Sequence, residues 1–237
     1  MDPVLMIPKR RFPRPTLWLD ASRVDLFTLE DTDRVATWTS REAIAFTAAG
    51  DARPTYGATS MTGGPGVLFA LANNQRVLGT GVTENVSYFT ALAYVQRPSS
   101  ATSMDIFSHW DSGTNQRGWK IGTSGNSLRV YVTTNGTVAA AYKNYTGNLM
   151  ATTPTTVGFT FSNGVLTIYQ VGVAVASPTK TQDDAMTTIH ASTAATVVGG
   201  SLNSGDLALP YSGYVRSAGI WNRALTAGEI RAWHRTR

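Results

Sequence analysis

The stretch TTVGFTFSNGVLTIYQVG, residues 155–172, constrains this chain more tightly than any other. Val157, Phe159 and Phe161 alternate with small or polar residues, the period-two pattern of a strand with one buried face. Asn163-Gly164 follows, a pair that tolerates the two positive φ angles of a tight hairpin turn, and Leu166 and Ile168 then alternate back. A helix cannot hold that pattern on one side. The stretch is a β-hairpin that needs a second apolar layer to cover it.

The rest of the body repeats the theme. SYFTALAYVQ places Phe89, Ala91, Ala93 and Val95 on one face, and SLRVYVTT does the same with Leu128, Val130 and Val132. Shorter strands fit LWLDA, GVLFAL, ATVVGG and YVRSAGIW, separated by Gly, Asn, Ser and Pro clusters. Neither an internal repeat nor a linker interrupts residues 16–237, which read as one domain of a size common among sandwiches. The chain has no cysteine, so stability must come from packing rather than disulfides.

One helix is legible, over residues 225–235 in RALTAGEIRAWHRTR. Thr226 is the N-cap, and Glu229 three residues later completes a capping box. Leu225 and Ile230 form a hydrophobic staple across that cap. Arg231, Arg235 and Arg237 crowd the end where the helix dipole favours cations. Ile230 and Trp233 are expected to pack this helix on the sandwich.

Residues 1–15, MDPVLMIPKRRFPRP, read as an extended arm: too broken by proline for a helix and too short for a domain. The order of its apolar and basic parts is the reverse of an export signal, so the expectation is synthesis and folding in a cytoplasm. The arm and residues 223–237 each carry a net +3 of the chain's +5, leaving the body close to neutral. A nucleic-acid-binding face spreads Lys and Arg over one surface with aromatics between them. Charge gathered at the two ends favours docking of termini, so no nucleic acid is expected as partner. Nor does any apolar run reach the ~18 residues of a membrane span.

The closing stretch ATVVGGSLNSGDLALPYSGYVRSAGIWNRALTAGEIRAW resembles the laminin-G-like branch of the concanavalin A-like jelly rolls, and the 155–172 hairpin is similar to the one preceding it there. At the front, LWLDAS, Trp38 and Arg53-Pro54-Thr55-Tyr56 resemble the opening of versions found in bacteriophage virion proteins. The resemblance covers residue 16 onward and stops at the arm. It implies an all-β, antiparallel two-sheet jelly-roll sandwich with an extended N-terminal arm and a short C-terminal helix. That fold hosts lectins, hydrolases and structural modules, so it does not by itself assign function.

The residues argue against catalysis. Jelly-roll glucanases need two carboxylates close together in a cleft. The four glutamates are Glu30, Glu42, Glu84 and Glu229, of which Glu229 is a cap and none has an acidic strand partner. His109, His190 and His234 are scattered, and no nucleophile motif is present. The richest candidate for sugar contact is HWDSGTNQRGWK, with His109, Trp110, Asp111, Asn115, Arg117 and Trp119; the competing reading is a strand–loop–strand whose tryptophans pack. No cofactor or metal is expected. Calcium is the only ion considered, and Asp105, Asp111 and Asn115 are too sparse for its oxygen shell. Trp18, Trp38 and Trp221 are expected in the core.

The expectation is therefore a structural virion protein of a bacteriophage, a capsid decoration subunit. It would dock on the major capsid protein or another virion subunit through Val4, Leu5, Met6, Ile7 and Phe12 in apolar pockets and Lys9, Arg10, Arg11 and Arg14 against acidic rims. Homo-oligomerisation is compatible with this. The alternative is a lectin-like module binding surface glycans for host adsorption.

Overall fold

A computed structural model describes residues 13–31, 33–80, 87–97, 103–137, 153–175 and 186–237, with 141–148 as backbone. The first strands are β1 (Leu17–Asp20), β2 (Phe27–Glu30), β3 (Arg34–Thr39), β4 (Ala45–Thr47), β5 (Thr55–Met61), β6 (Gly64–Phe69) and β7 (Val77–Gly79). The long central strands are β8 (Tyr88–Gln96), β9 (Met104–Asp111), β10 (Gln116–Ser124), β11 (Ser127–Gly136), β12 (Ala141–Asn148), β13 (Thr155–Ser162) and β14 (Val165–Gln170). β15 (Val173–Ala174), β16 (Thr196–Val198), β17 (Ser201–Asn203), β18 (Asp206–Ala208) and β19 (Gly213–Trp221) complete the set, and α1 (Ala227–Arg235) follows. None of the described helices is long and apolar enough to cross a membrane.

Two layers result. One runs β15–β14–β13–β8–β19, and β1 and β6 pair with successive lengths of the far edge of β19. The other runs β12–β11–β10–β9–β16–β7–β4–β3–β2. β5 joins β6 to β3 and so bridges the layers, and all these pairings are antiparallel. The expected hairpin is present: Phe159 lies opposite Ile168 and Phe161 opposite Leu166, with Asn163 and Gly164 at φ 44° and 86°.

Between the layers the core is aromatic. Trp119 contacts Phe89, Phe107 and Phe159 with ring centroids 5.0–6.0 Å apart. Phe89, Ala91, Ala93 and Val95 face it from β8, and Leu128, Val130 and Val132 from β11, as their alternation requires. The other face of β8 departs from the half-buried expectation, because α1 lies across it. Leu92, Tyr169, Trp221, Leu225, Ile230 and Trp233 form a second apolar cluster there. Even the threonines on that face are used: Thr90 Oγ1 donates to the Arg223 carbonyl (2.8 Å) and accepts from Leu225 N–H (2.9 Å). Gly219 on β19 is required by this layer, since a Cβ there would stand 2.6 Å from the Trp221 ring.

The helix begins as its sequence dictates. Glu229 N–H donates to Thr226 Oγ1 (3.3 Å) and Thr226 N–H to Glu229 Oε2 (2.8 Å), while Arg223 grips the same carboxylate. Leu225 and Ile230 are both buried beneath it.

Candidate functional site

The stretch HWDSGTNQRGWK folds as the β9–β10 hairpin, and its polar groups hold backbone together. Asp111, 6% exposed, accepts from Gly113 N–H (3.0 Å), Thr114 N–H (3.3 Å) and Ser204 N–H (2.7 Å) through Oδ1, and from Gly205 N–H (2.9 Å) through Oδ2. Its carboxylate therefore clamps two turns, already accepting from four backbone N–H groups. Arg117 donates to Asn115 Oδ1 (2.9 Å), to the carbonyls of Gly136 (3.1 Å) and Thr137 (2.7 Å), and to that of Ser112. Asn115 sits at φ 58° to make the turn. Trp119 is in the inter-sheet core and His109 is buried. The six residues are thus neighbours along the chain without forming one surface.

Trp110 faces the opposite side of that sheet, in a cluster of its own. Lys120 Nζ donates to Asp105 Oδ2 (2.8 Å) and lies over the rings of Trp110 (5.1 Å) and Tyr131 (4.8 Å), and Arg129 donates to the Tyr131 hydroxyl (3.0 Å). The pair is balanced: one buried cation, one buried carboxylate and two ring faces. Asp105 and Asp111, both on β9, are six residues apart, about 20 Å along an extended strand. That is too far for the paired carboxylates of glycoside hydrolysis. The described residues hold no group of three or more His, Asp or Glu able to share a metal ion.

The arm residues Val4, Leu5, Met6, Ile7, Lys9, Arg10, Arg11 and Phe12 lie outside the described residues. The root of the arm is described. Trp221 Nε1 donates to the Pro13 carbonyl (3.0 Å), Thr16 N–H to Ile220 O (2.8 Å), and Asn222 N–H to Thr16 Oγ1 (3.3 Å). Arg14 is exposed beside it.

A cleft that the sequence reading missed opens at this root. Alternation along β1 turns Leu17 and Leu19 into the core and Trp18 and Asp20 outward, so Trp18 is half-buried rather than a core residue. The turn after β3 is tied to it: Arg41 N–H donates to Trp18 O (2.9 Å) and Trp18 N–H to Glu42 Oε2 (2.6 Å). The Arg41 guanidinium lies over the Trp18 ring at 3.8 Å from its centroid. Arg237, two residues past the end of α1, folds inward, its side chain 5% exposed. Its guanidinium lies 4.3 Å from the Trp18 ring and 4.7 Å from that of Trp233. A cavity of about 360 Å³ is lined by Trp18, Asp20, Ser22, Arg41, Ala232, Thr236 and Arg237. A second of about 240 Å³ lies across Trp18 and Arg41, toward Pro13, Arg14, Pro15 and Glu42.

Charge in the cleft is unequal. Asp20 is the one buried carboxylate: Oδ1 accepts from Ser22 N–H (3.1 Å) and Ser22 Oγ (2.7 Å), and Oδ2 from Arg41 Nη2 (2.5 Å). Burial pushes its pKa up, yet the Ser22 hydrogen bonds and the charges of Arg237 and Arg41 carry it below the usual carboxylate range. Arg237 Nη1 stays 3.7 Å from Asp20, beyond hydrogen-bond reach. Burial pulls the Arg237 pKa down to about 10; Asp20 opposes this, while Arg41 and Arg216 add repulsion. Burial also raises Glu42. Trp18 Nε1, Trp233 Nε1 and Arg237 Nε are buried donors with no acceptor among the described residues. Ser217 Oγ, cross-strand from Asp20, is likewise unpartnered.

A family model described as the concanavalin A-like lectin/glucanases superfamily, of laminin-G type, matches residues 71–231, and the chain belongs to that family. Trp18, Asp20, Arg41 and Arg237 all fall outside the matched span. No curated protein matches the chain by sequence. Among solved structures, the botulinum neurotoxin type G receptor-binding domain is similar at TM-score 0.60 and 14% identity, over 94% of this chain and 51% of that one. Trypanosoma rangeli sialidase, solved with sialic acid, gives 0.55 and 16% over 94% and 33%. NanB sialidase from Streptococcus pneumoniae gives 0.54 and 13% over 70% and 27%. The chain thus spans between a quarter and about half of these proteins, and at such identities the likeness is one of fold.

Proposed function

We propose that the chain is a non-catalytic recognition module of the lectin type, with a saccharide seated in the Trp18 cleft. The observation that carries this reading is the cleft itself. A half-buried indole is bordered by guanidinium, hydroxyl and carboxylate groups, in a cavity at the small end of ligand sites, on the outer side of a rigid sheet. Membership of a family that includes lectins supports the assignment. The non-catalytic reading is supported by how four of the described carboxylates are committed: Asp105 is paired with Lys120, Asp111 clamps backbone, Glu42 holds the Trp18 amide and Glu229 caps α1. Screening the protein on immobilised neutral and acidic saccharides should give hits that Trp18→Ala abolishes. A screen without hits, or hits that survive Trp18→Ala, overturns the reading.

A second reading, a structural virion subunit such as a bacteriophage capsid decoration protein, is favoured by the arm root. Three hydrogen bonds fix residues 13–16 to β19 and the residue just after it, so the root of the arm is held at one defined point. A docking arm on a disulfide-free body would use that arrangement. Deleting residues 1–12 should then abolish co-sedimentation with assembled particles, and undiminished co-sedimentation would refute it.

A further inference from the structure

The Trp18 cleft holds more hydrogen-bond donors and more positive charge than its own acceptors satisfy. Arg41 and Arg237 face Asp20, whose oxygens already accept from Ser22 and Arg41, and Glu42, which lines the neighbouring cavity with Arg14, accepts from the Trp18 N–H. Each guanidinium has five N–H donors. Arg41 spends one on Asp20, and Arg237 reaches no carboxylate within hydrogen-bond distance among the described residues. Arg216 lies near enough to repel Arg237, so the charge imbalance extends beyond the lining. The unpartnered Trp18 Nε1, Trp233 Nε1 and Arg237 Nε belong to one stack of two indoles and a guanidinium. A buried donor left unmade is costly, and three together are unusual in a structural cluster.

We propose that the Trp18 cleft is an oxyanion site, in which the guanidiniums of Arg41 and Arg237 hold a carboxylate or phosphate group of the ligand. It rests on the reading above in placing the ligand at this cleft, and it names that ligand's class: an acidic rather than a neutral saccharide. The planar guanidinium fork matches either oxyanion. The bound group supplies acceptors to the guanidinium N–H groups of Arg41 and Arg237 that line the cavity. Trp18, Arg41 and Arg237 all lie outside residues 71–231, the span that matches the family model.

The test uses the full chain and four probes at constant ionic strength: glucose, glucuronate, glucose 6-phosphate and inorganic phosphate. Two-dimensional ¹H–¹⁵N NMR follows the indole N–H of Trp18 and Trp233 and the Arg237 Nε–H. Glucuronate and at least one phosphate should move these resonances with Kd on the order of 1 mM, and glucose should not. Arg41→Gln should weaken the response roughly tenfold or more, whereas Arg235→Gln, an exposed cation two residues before Arg237, should leave it intact. If Arg237→Gln does not fold, the Arg41→Gln result decides. No shift with any anion, or an equal loss in Arg235→Gln, overturns the site. Glucose binding without an anion response overturns it while leaving the saccharide reading standing. An anion response with no hit in the saccharide screen supports the oxyanion site and refutes that reading.

Discussion

Among the described residues two clusters bury a cation against aromatic rings, and they are built to opposite rules. Around Lys120 one ammonium meets one carboxylate at 2.8 Å, and the faces of Trp110 and Tyr131 cover what remains. Around Trp18 two guanidiniums share one carboxylate, one of them only loosely, and three donors find no acceptor. The first lies inside one sheet, at neighbouring positions on β9, β10 and β11. The second is assembled where β1, the turn after β3 and the end of α1 meet, beside open cavities. A cluster that closes its own electrostatics is structural. One left open beside a cavity is where a ligand has something to contribute.

Urea denaturation can break this comparison directly. Asp105→Ala strands a buried ammonium and should lower stability by about 3–5 kcal/mol. A smaller but more diagnostic change is the double replacement Asp105→Leu with Lys120→Met, expected to recover wild-type stability or exceed it by up to ~1–4 kcal/mol, because it removes both desolvation penalties. A double-mutant cycle then isolates the coupling. Arg237→Met should alter stability by no more than about 1 kcal/mol, since it discards a loose ion pair and an orphan donor but keeps an apolar chain between two indoles. A loss as large as that of Asp105→Ala would show the Trp18 cluster to be as structural as the other.

The smallest effect is a pH dependence. The folded pKa of Asp20 lies below its unfolded value, so its contribution is complete above the ordinary carboxylate range and is lost as pH falls through the folded pKa. Asp20→Asn should therefore flatten the acid limb of the stability profile near pH 4 and below, relative to wild type. An unchanged acid limb would mean that Arg41 and Arg237 gain nothing from the charge on Asp20.

Much of the fold could be read from local signals. Asn163-Gly164 and the Thr226–Glu229 box each state their conformation within four residues, and the alternation of Phe89, Ala91, Ala93 and Val95 names the face that meets the core. What alternation could not show was that Leu92 and Tyr94 would also be covered, because that depends on where α1 lands. The site was less legible. His109–Trp119 has the composition of a sugar-binding loop, but Asp111 and Arg117 answer backbone groups in turns that only the folded hairpin creates. Trp18 and Arg237 come from opposite ends of the chain, brought together by the β1–β19 pairing and the return of α1. Neither residue carries a local mark of the other.

The arm root has a mechanical consequence. Tension on the segment before Pro13 enters through Thr16 and runs along the axis of β1, whose residues Leu17–Asp20 face Ile220–Ser217 across the ladder. Hydrogen bonds lying across the direction of pull are loaded together, in shear, instead of opening one after another as in a peeled hairpin. Because Trp221 also holds Pro13, the first bonds to feel the force belong to the layer beneath α1. Whatever grips that segment therefore pulls on the β1–β19 ladder and the apolar cluster beneath α1.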